Sequence, residues 1–504
     1  MAVGLIGFPT AMILARLLEP SDFGIAAAAS FFGQLAGRLS SGGMGTALQR
    51  VKELRNDHLS TVFVLNLGFS VGVGLLLMAT APLVSRFYGT PEVGWLMPLV
   101  AINFTVSAFS MIQQTQLSRQ LRYKELATIG SLDIATSAVT SVLFAAVGLR
   151  YWGLVLSDIC GGVVRMLYGV RVVGWQARFR FVPSVVRELG SFAMGSCAKR
   201  TLEHLTRNSD SLIVGRMLGM TALGLYDKAF SSLGKLYYNV TSVGPNVSFR
   251  VFAMIQDEPD RFRRAYRKVV MTTTLMTYPM FGVIGAMAPH LIPVAFGEKW
   301  KPAVVPMQLL CVSFALKTLN QYATTASQAR GWVWPQVWRQ AVQVLCVVVG
   351  VYLATPWGIN GASIAVVAAT LVMCYLTQGM MRAATGLGWA DILEPQVPSL
   401  TLTLALALPI WGVDALLPPS ISDFAALVVQ GGVAAIVALA FAWLCPLSDV
   451  RELLHEVVSD VSPRVAAFVW RDVEAERVEA RARRRAERAA ALSPGIDAET
   501  PAAS

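Results

Sequence analysis

The sequence predicts an all-α, polytopic integral membrane protein with about 14 transmembrane helices, and three observations lead to this fold class. Of the 504 residues, 55% are hydrophobic and 14% are charged, whereas soluble domains carry about 25% charged residues. The apolar residues collect in runs of about twenty, the length that crosses a bilayer as a helix. These runs are continuous, unlike the alternating strands of a membrane barrel. A soluble enzyme does not fit this composition.

Each predicted helix is an apolar run that Pro, Gly or a cluster of charges separates from the next. The first run has no basic leader and no cleavage site, so we expect a membrane helix there and not a removable signal. About 17 apolar residues precede Glu19, so either this helix is short or the natural chain starts upstream. In chain order, the predicted helices cover residues 1–17, 25–48, 60–84, 93–116, 126–147, 152–173, 189–218, 223–243, 269–291, 303–326, 337–355, 359–381, 400–417 and 424–444.

The basic residues of the short loops predict the orientation, because loops rich in Lys and Arg stay in the cytoplasm. One side of the predicted membrane holds the basic clusters within residues 50–55, 119–124, 171–187 and 250–268, and the other side holds few such residues. Both termini are therefore predicted to be cytoplasmic. The last segment, residues 446–504, is predicted to be an Arg-rich, solvated cytoplasmic tail.

The sequence lacks the usual signals of a cofactor or catalytic site. Its six cysteines stand singly in apolar runs, and its four histidines lack the spacing of a metal site. No GxxxxGK[ST], HExxH or GxSxG motif occurs. The net charge of +11 would suit nucleic acid, but here basic residues interrupt apolar runs instead of covering a polar face. We therefore expect no enzyme activity, no cofactor, no metal and no nucleic-acid partner.

Several charges fall inside predicted spans, where a charge normally faces a protein interior or an aqueous cavity. In the predicted helix 189–218, Lys199, Glu203, Arg207 and Asp210 are spaced four, four and three residues apart, so they share one face, with Arg200 beside it. Pairs spaced four apart neutralise each other in part, which is the structural alternative to a binding face.

Two further predicted helices carry cations. Lys228 and Lys235 are seven residues apart, which places them two turns apart on one face. Arg38 lies in the second predicted helix among serines and glycines. If these helices line one space, that space is cationic and fits an anionic cargo. Asp158 and Arg165, also seven residues apart, are predicted to form a structural pair with each other.

Five stretches follow one another in the order that a known family shows. They are ARLLEPSDFG at 15–24, GMGTALQR at 43–50 with DHLSTVFVLN at 57–66, LTRNSDSLIVGRMLG at 205–219, ALGLYDKAF at 222–230 and DRFRRAYRKV at 260–269. Together they resemble Wzx-type polysaccharide flippases of the multidrug/oligosaccharidyl-lipid/polysaccharide (MOP) exporter superfamily, over residues 15–381. The first predicted helix starts later than in that family, and the Arg-rich tail is not one of its shared motifs.

The resemblance implies two pseudo-symmetric six-helix lobes, residues 1–174 and 189–381, with a cytoplasmic linker at 175–188 and two more helices at 395–445. It implies a flippase of the bacterial inner membrane that moves undecaprenyl-diphosphate-linked oligosaccharide to the periplasmic leaflet for O-antigen, capsule or exopolysaccharide biosynthesis. The lobes would open alternately around a cationic central cavity. Membrane lipids and polysaccharide assembly proteins are the other expected partners.

Within that interpretation, cations of the cavity would bind the diphosphate, because guanidinium and ammonium groups replace its hydration. These predicted ligands are Arg38, Lys199, Arg200, Arg207, Lys228 and Lys235. Weaker candidates for contacts with sugars are Tyr226, Tyr238, Asn239, Gln321 and Tyr322. Glu203 and Asp210 are candidates for ion coupling. Trp300, Trp332 and Trp334 are predicted to be anchors at the membrane interface.

Two other functions stay open at this point. An ion-coupled multidrug-type exporter of the same superfamily would need an acid-lined cavity, and the excess of cations argues against it. An integral-membrane polysaccharide polymerase or glycosyltransferase would need an extended catalytic loop on the outer face. The longest predicted outer loop, residues 290–302, is short for that purpose.

Overall fold

The computed structural model describes residues 2–444 apart from positions 42, 52–53, 175–178, 243, 333 and 419. Within this part of the chain the elements are helices, and no strand occurs. The α-helices are α1 (Ala2–Leu17), α2 (Pro20–Ser41), α3 (Met44–Arg50), α4 (Asn56–Tyr88), α5 (Pro91–Arg119), α6 (Tyr123–Ala146), α7 (Arg150–Val173), α8 (Pro183–Thr241), α9 (Gly244–Met254), α10 (Pro259–Phe296), α11 (Val304–Ala329), α12 (Trp334–Ala354), α13 (Gly358–Thr385), α14 (Trp389–Leu393), α15 (Val397–Leu416) and α16 (Asp423–Leu444). Short 3-10 helices at Glu298–Ala303, Thr355–Trp357 and Glu394–Gln396 follow α10, α12 and α14.

The predicted all-α membrane class is confirmed. Nine helical segments among the described residues are long and apolar enough to cross a membrane. Large apolar side chains on α4, among them Leu75, Leu76 and Leu83, are 61% to 62% exposed, as expected for a surface that contacts lipid. The count of fourteen spans stays a prediction. The predicted tail, residues 446–504, lies outside the described part of the chain.

The break inside α8 lies close to where the sequence predicted it. Gly219 has φ 86° and ψ 176°, outside the helical region, and divides α8 into a first arm (183–218) and a second arm (220–241). Glycine fits this position because a side chain at such a φ would be strained. The first arm starts earlier than the predicted helix 189–218. The predicted helix 25–48 is wrong in its extent, since α2 ends at Ser41 and a separate α3 begins at Met44.

The helices pack as two groups that meet along α2 and α8. In the first group, α4 packs on α5, α6 and α5 pack on α7, and α1 packs on α6. In the second group, α10 packs on α11, and α11 and α12 pack on α13. Between the groups, α2 follows the first arm of α8: Cys197 Sγ donates to the carbonyl oxygen of Arg38 over 3.4 Å. The predicted lobe boundaries themselves stay a prediction.

Two additional helices, α15 and α16, attach to α10 along its length. Near the start of α10, Arg267 Nη1 lies 3.3 Å from Asp391 Oδ1 on α14. About three turns further along α10, the Tyr278 hydroxyl donates to Gln396 Oε1 over 2.9 Å within the buried interior. Because Asp391 and Gln396 are buried and belong to the segment that leads into α15, both contacts fasten the start of the additional pair to the second group of helices.

The predicted interface role of Trp300 is wrong. Its side chain is 0% exposed, and its indole Nε1 donates to the carbonyl oxygen of Ala15 over 2.9 Å. The ring therefore joins the second group of helices to α1 instead of facing lipid headgroups. Trp332 is 37% exposed, which suits the predicted anchor, whereas the side chain of Trp334 lies outside the described part of the structure.

Candidate functional site

A polar cavity of about 580 Å³ lies among α2 to α7 and the first arm of α8. Its volume falls within the roughly 300–1,000 Å³ of small-molecule sites. The lining combines hydroxyl and amide groups with two guanidinium groups, and it consists of Gly37, Ser40, Ser41, Gly45, Gln49, Asn66, Ser70, Phe104, Ser107, Ala108, Met111, Gln114, Thr115, Ser118, Leu126, Arg165 and Arg200. Such a lining can hydrogen-bond a polar ligand at many points, so the cavity is the candidate site.

Helical spacing brings these polar groups to one side of each helix. Asn66 and Ser70 are one turn apart on α4, and Ser107, Gln114 and Ser118 follow at intervals of seven and four residues on α5. Both helices therefore present a polar stripe to the cavity although their sequences are mostly apolar. Sequence analysis followed the charged residues and missed this stripe. The signal that could have revealed it is the helical spacing of uncharged polar residues inside apolar runs.

Arg165 forms a neutralised part of the cavity wall. Its Nη1 donates to Asp133 Oδ2 on α6 over 2.8 Å, and its Nη2 donates to Ser107 Oγ on α5 over 2.9 Å. The predicted pair between Asp158 and Arg165 is therefore wrong, because the guanidinium group turns towards the neighbouring helices and not along α7. The ion pair with Asp133 leaves this wall close to neutral.

Charged residues of the first arm of α8 lie beside the cavity. Arg38 on α2 is half-buried, and the charges of Arg200, Glu203 and Arg207 on the first arm of α8 act on it. Arg38 Nε is buried without a hydrogen-bond partner among the described residues. Arg200 lines the cavity and is exposed. The structure thus brings together three of the predicted diphosphate ligands with Glu203, while the side chain of Lys199 lies outside the described part.

Lys228 is enclosed by protein. It is 6% exposed, and its ammonium group donates to the carbonyl oxygen of Ala11 over 3.0 Å. The same group lies 4.4 Å from the ring centre of Phe23 and 4.8 Å from that of Phe296. These contacts join the second arm of α8 to α1, α2 and α10, so they favour a structural role over the predicted contact with diphosphate.

The second arm of α8 carries the other predicted residues at different depths. Lys235, Tyr238 and Asn239 are exposed, and the charge of Lys235 acts on Asp158 of α7. Lys235 therefore lies near the first group of helices, although it is not part of the cavity lining. The predicted roles of these three residues in binding diphosphate or sugar stay predictions.

Asp210 and Tyr226 form a buried hydrogen bond between the two arms of α8. The Tyr226 hydroxyl donates to Asp210 Oδ2 over 2.6 Å, and the backbone N–H of Ser211 donates to Asp210 Oδ1 over 2.9 Å. Tyr226 is 0% exposed, so its ring does not reach a cavity in this arrangement of the helices. Its predicted sugar contact would require another arrangement. Asp210 is enclosed in the same way, and its coupling role stays a prediction.

The last two predicted sugar contacts lie on α11, away from the polar cavity. Tyr322 is 2% exposed and packs in a cluster with Phe252 and Tyr266. Gln321 is half-buried. Neither residue contributes to the cavity lining, so their predicted contacts with sugar stay predictions and belong to a different part of the molecule.

Comparison with protein families and curated proteins gives consistent matches. Residues 13–305 match the family described as "Polysaccharide biosynthesis protein". The chain is 23% identical to the lipopolysaccharide biosynthesis protein WzxC of Escherichia coli K12, covering 62% of this chain and 64% of that protein. It is 26% identical to the succinoglycan biosynthesis transport protein ExoT of Rhizobium meliloti, covering 62% and 63%. The chain therefore spans less than two thirds of the length of these relatives.

Solved structures share the architecture at low sequence identity. The lipid II flippase MurJ in an inward closed conformation matches with a TM-score of 0.68 at 12% identity, over 87% of this chain and 96% of that one. An inward-facing multidrug resistance transporter of the MATE family, from the MOP superfamily, matches with a TM-score of 0.60 at 13% identity, over 76% and 96%. At these identities the likeness shows the fold alone.

Proposed function

Because the chain belongs to the polysaccharide biosynthesis protein family, we propose that it is a flippase for undecaprenyl-diphosphate-linked oligosaccharide. The lipid-linked unit would move from the cytoplasmic to the periplasmic leaflet of a bacterial inner membrane. The observation that carries the proposal is the 580 Å³ cavity of hydroxyl, amide and guanidinium groups in a membrane fold. A saccharide needs such groups to replace its hydration inside a membrane protein.

In this proposal the diphosphate binds beside the cavity and the saccharide lies within it. Arg38, Arg200 and Arg207 supply positive charge from α2 and the first arm of α8, where their charges act on one another. Guanidinium groups suit phosphate oxygens because their planar donors form two parallel hydrogen bonds. Lys199 and Lys235 complete the proposed set. The mutual repulsion of these cations is relieved when an anion binds between them.

The proposed transport cycle alternates between two arrangements of six-helix lobes, residues 1–174 and 189–381. The basic loops would face the cytoplasm, with both termini on that side. Moving each negative charge of the diphosphate outward is favoured by about 2.3 kcal/mol per 100 mV of interior-negative potential. Nucleotide hydrolysis is therefore not required to drive the proposed step. Glu203 and Asp210 are the proposed groups through which an ion gradient would contribute.

Reconstitution into vesicles tests this function. Undecaprenyl diphosphate carrying a short fluorescent oligosaccharide is placed in both leaflets, and the fraction that a membrane-impermeant glycosidase can cleave is followed with time. We expect the wild-type protein to make the enclosed fraction accessible. The Arg200→Gln variant is expected to slow this exchange by about tenfold or more, because a hydrogen bond to a charged group contributes about 1.5–3 kcal/mol.

The matched control is Arg187→Gln. Arg187 lies on the same arm of α8 and is exposed, but it is not part of the cavity lining. Its variant is expected to exchange the lipid at the wild-type rate. Equal rates for Arg200→Gln and Arg187→Gln would contradict the proposed diphosphate site. Transport of a lipophilic cation without transport of the lipid-linked saccharide would contradict the proposed function and favour a multidrug-type exporter.

A further inference from the structure

In the polar cavity among α2 to α7 and the first arm of α8, neutral hydrogen-bonding groups and charged groups lie in different places. Its inner wall contains one cation, Arg165, which Asp133 neutralises through a contact of 2.8 Å. The second cation, Arg200, comes from α8 across the boundary between the two groups of helices. The remaining polar lining consists of hydroxyl and amide groups. The interior of the cavity therefore suits an uncharged polar ligand, and among the lining residues a charge outside that neutralised wall comes from Arg200 at the α8 side.

Asn66 is held in one orientation at this wall. Its side chain is 2% exposed, and its Nδ2 donates to the carbonyl oxygen of Ala108 on α5 over 3.2 Å. Because the amide nitrogen is fixed by this bond, the amide oxygen is the group of Asn66 that remains to accept a hydrogen bond from a ligand.

Ser70 lies one turn further along α4 and also lines the cavity. It is 1% exposed, and its Oγ is buried without a hydrogen-bond partner among the described residues. Most buried hydroxyl groups have a partner, because leaving one unpaired destabilises the folded state. Rotation of the Ser70 side chain into the cavity would let a ligand hydroxyl supply the missing partner. Asn66 and Ser70 thus present an acceptor and a hydroxyl at neighbouring positions.

The neighbouring wall of the cavity, formed by α5, adds apolar surface. Phe104, Ala108 and Met111 on α5 line it together with the hydroxyl of Ser107. Sugar rings combine hydroxyl groups at their edges with apolar C–H faces, so they match a wall on which an aromatic ring adjoins hydroxyl and amide groups. An inorganic anion or a lipophilic cation matches this combination poorly.

We infer that this cavity is the sugar-recognition site and that Asn66 and Ser70 select a neutral sugar next to the diphosphate. The sugar lies in the cavity against α4 and α5, and the diphosphate is held at the α8 side by Arg200. The inference rests on the proposed flippase function. It places the contacts with sugar on the first group of helices, whereas the sequence predicted them on the second arm of α8 and on α11.

The test measures preference between two lipids in the vesicle assay. One is undecaprenyl diphosphate carrying a neutral trisaccharide, and the other is undecaprenyl diphosphate without sugar. We expect the wild-type protein to prefer the first. Asn66→Leu and Ser70→Ala are each expected to reduce that preference, Asn66→Leu by about tenfold, because a site built to hydrogen-bond a hydroxyl discriminates through that bond.

The matched control is Thr80→Val on the same helix. Thr80 is not in the cavity lining, and its hydroxyl bonds its own helix at Leu76. This variant is expected to keep the wild-type preference. Unchanged preference in Asn66→Leu and Ser70→Ala, with thermal midpoints equal to that of the wild type, would overturn the inference.

A binding measurement separates this inference from the flippase proposal. Gln49 lines the cavity and is exposed, so Gln49→Cys in a background without other cysteines gives a site for maleimide labelling. We expect the trisaccharide lipid to slow labelling more than the sugar-free lipid does. If the wild type transports neither lipid but this protection is seen, the flippase proposal fails and the sugar site stands. If transport is seen and both lipids protect equally, the sugar site fails alone.

Discussion

Gly24 on α2 and Gly224 on the second arm of α8 pack against each other's helix in a reciprocal contact. A β-carbon added to Gly24 would lie 1.8 Å from the carbonyl oxygen of Met220, and one added to Gly224 would lie 1.8 Å from that of Pro20. α2 and the second arm of α8 both begin at this end of the molecule, beside the break at Gly219. The contact therefore closes the two groups of helices together at the end remote from Gln49 and Ser118.

We expect Gly224→Ala to force this end apart. Backbone oxygen atoms cannot move aside as side chains do, so the helices must separate by about 1.2 Å to bring the new methyl group to 3.0 Å. Forms of the protein that are open at this end should become more populated. Spin labels at Glu92→Cys on α5 and Glu298→Cys after α10, in a background without other cysteines, should report longer distances by pulsed electron paramagnetic resonance.

Gly68→Ala is the control for that experiment. Gly68 is a helical glycine of α4, and nothing lies within 4 Å of the position where its β-carbon would be. This variant should leave the distances between the labels unchanged. If Gly224→Ala also leaves them unchanged, the contact between α2 and α8 does not hold this end closed.

We expect Lys228→Met to be tolerated and Lys228→Glu to be strongly destabilising. Methionine fills a similar volume among Phe23, Phe296 and Trp300, and it removes the cost of keeping an ammonium group out of water. Glutamate would place a negative charge against aromatic faces and the carbonyl oxygen of Ala11, at a cost of about 3–5 kcal/mol. Thermal unfolding in detergent measures the difference. Binding of undecaprenyl diphosphate to Lys228→Met should stay within about threefold of wild type, whereas a lost diphosphate ligand would weaken it about tenfold or more.

The helices could be predicted from the sequence, but the partners of the buried charges could not. Apolar runs and breakers are local signals, so the fold class and the break near Gly219 follow from the sequence alone. Lys228, by contrast, meets Ala11 and Trp300, which are far away along the chain. Spacing on one helix carries no information about such contacts. The same reason explains why Arg165 pairs with Asp133 and not with Asp158, which the spacing had favoured.

The candidate site was predicted in part. Arg38, Arg200 and Arg207 could be singled out because a charge inside an apolar run is a strong signal. Asn66 and Ser70 are small and uncharged, and serine and asparagine occur in many membrane helices without binding anything. Only the neighbouring wall of α5 shows that they line a cavity. Their role therefore depends on packing that no single helix encodes.

We expect His290→Ala to loosen the attachment of α15 and α16 to α10. His290 Nε2 lies 2.6 Å from Asp414 Oδ1, and its Nδ1 lies 2.6 Å from Asp423 Oδ1. Without the imidazole ring, the two carboxylates keep their positions near each other and lose their shared partner. The free energy of unfolding should fall by about 1–3 kcal/mol, which a lower thermal midpoint in detergent would show.

A triple variant separates the loss of the two bonds to His290 from the repulsion between the carboxylates of Asp414 and Asp423. In His290→Ala/Asp414→Asn/Asp423→Asn, the amides carry no charge, so the thermal midpoint should recover part of the loss seen in His290→Ala. A triple variant less stable than the single one would show that the carboxylates stabilise this end by other contacts, such as the bond of 3.1 Å that Gln430 donates to Asp414.

The bond between Tyr226 and Asp210 allows the coupling role of Asp210 to be tested apart from its structural role. Asp210→Asn keeps an oxygen that accepts from the Tyr226 hydroxyl, so this variant should stay folded with a thermal midpoint near that of wild type. Tyr226→Phe removes the donor and leaves a buried carboxylate oxygen unpaired, at a cost of about 1–3 kcal/mol. If Asp210 couples transport to protons, Asp210→Asn vesicles should transport at one rate with or without a proton gradient, at fixed membrane potential. If the proton gradient changes the transport rate of Asp210→Asn as much as that of the wild type, coupling belongs to another group. Glu203→Gln is the variant to compare in the same vesicles.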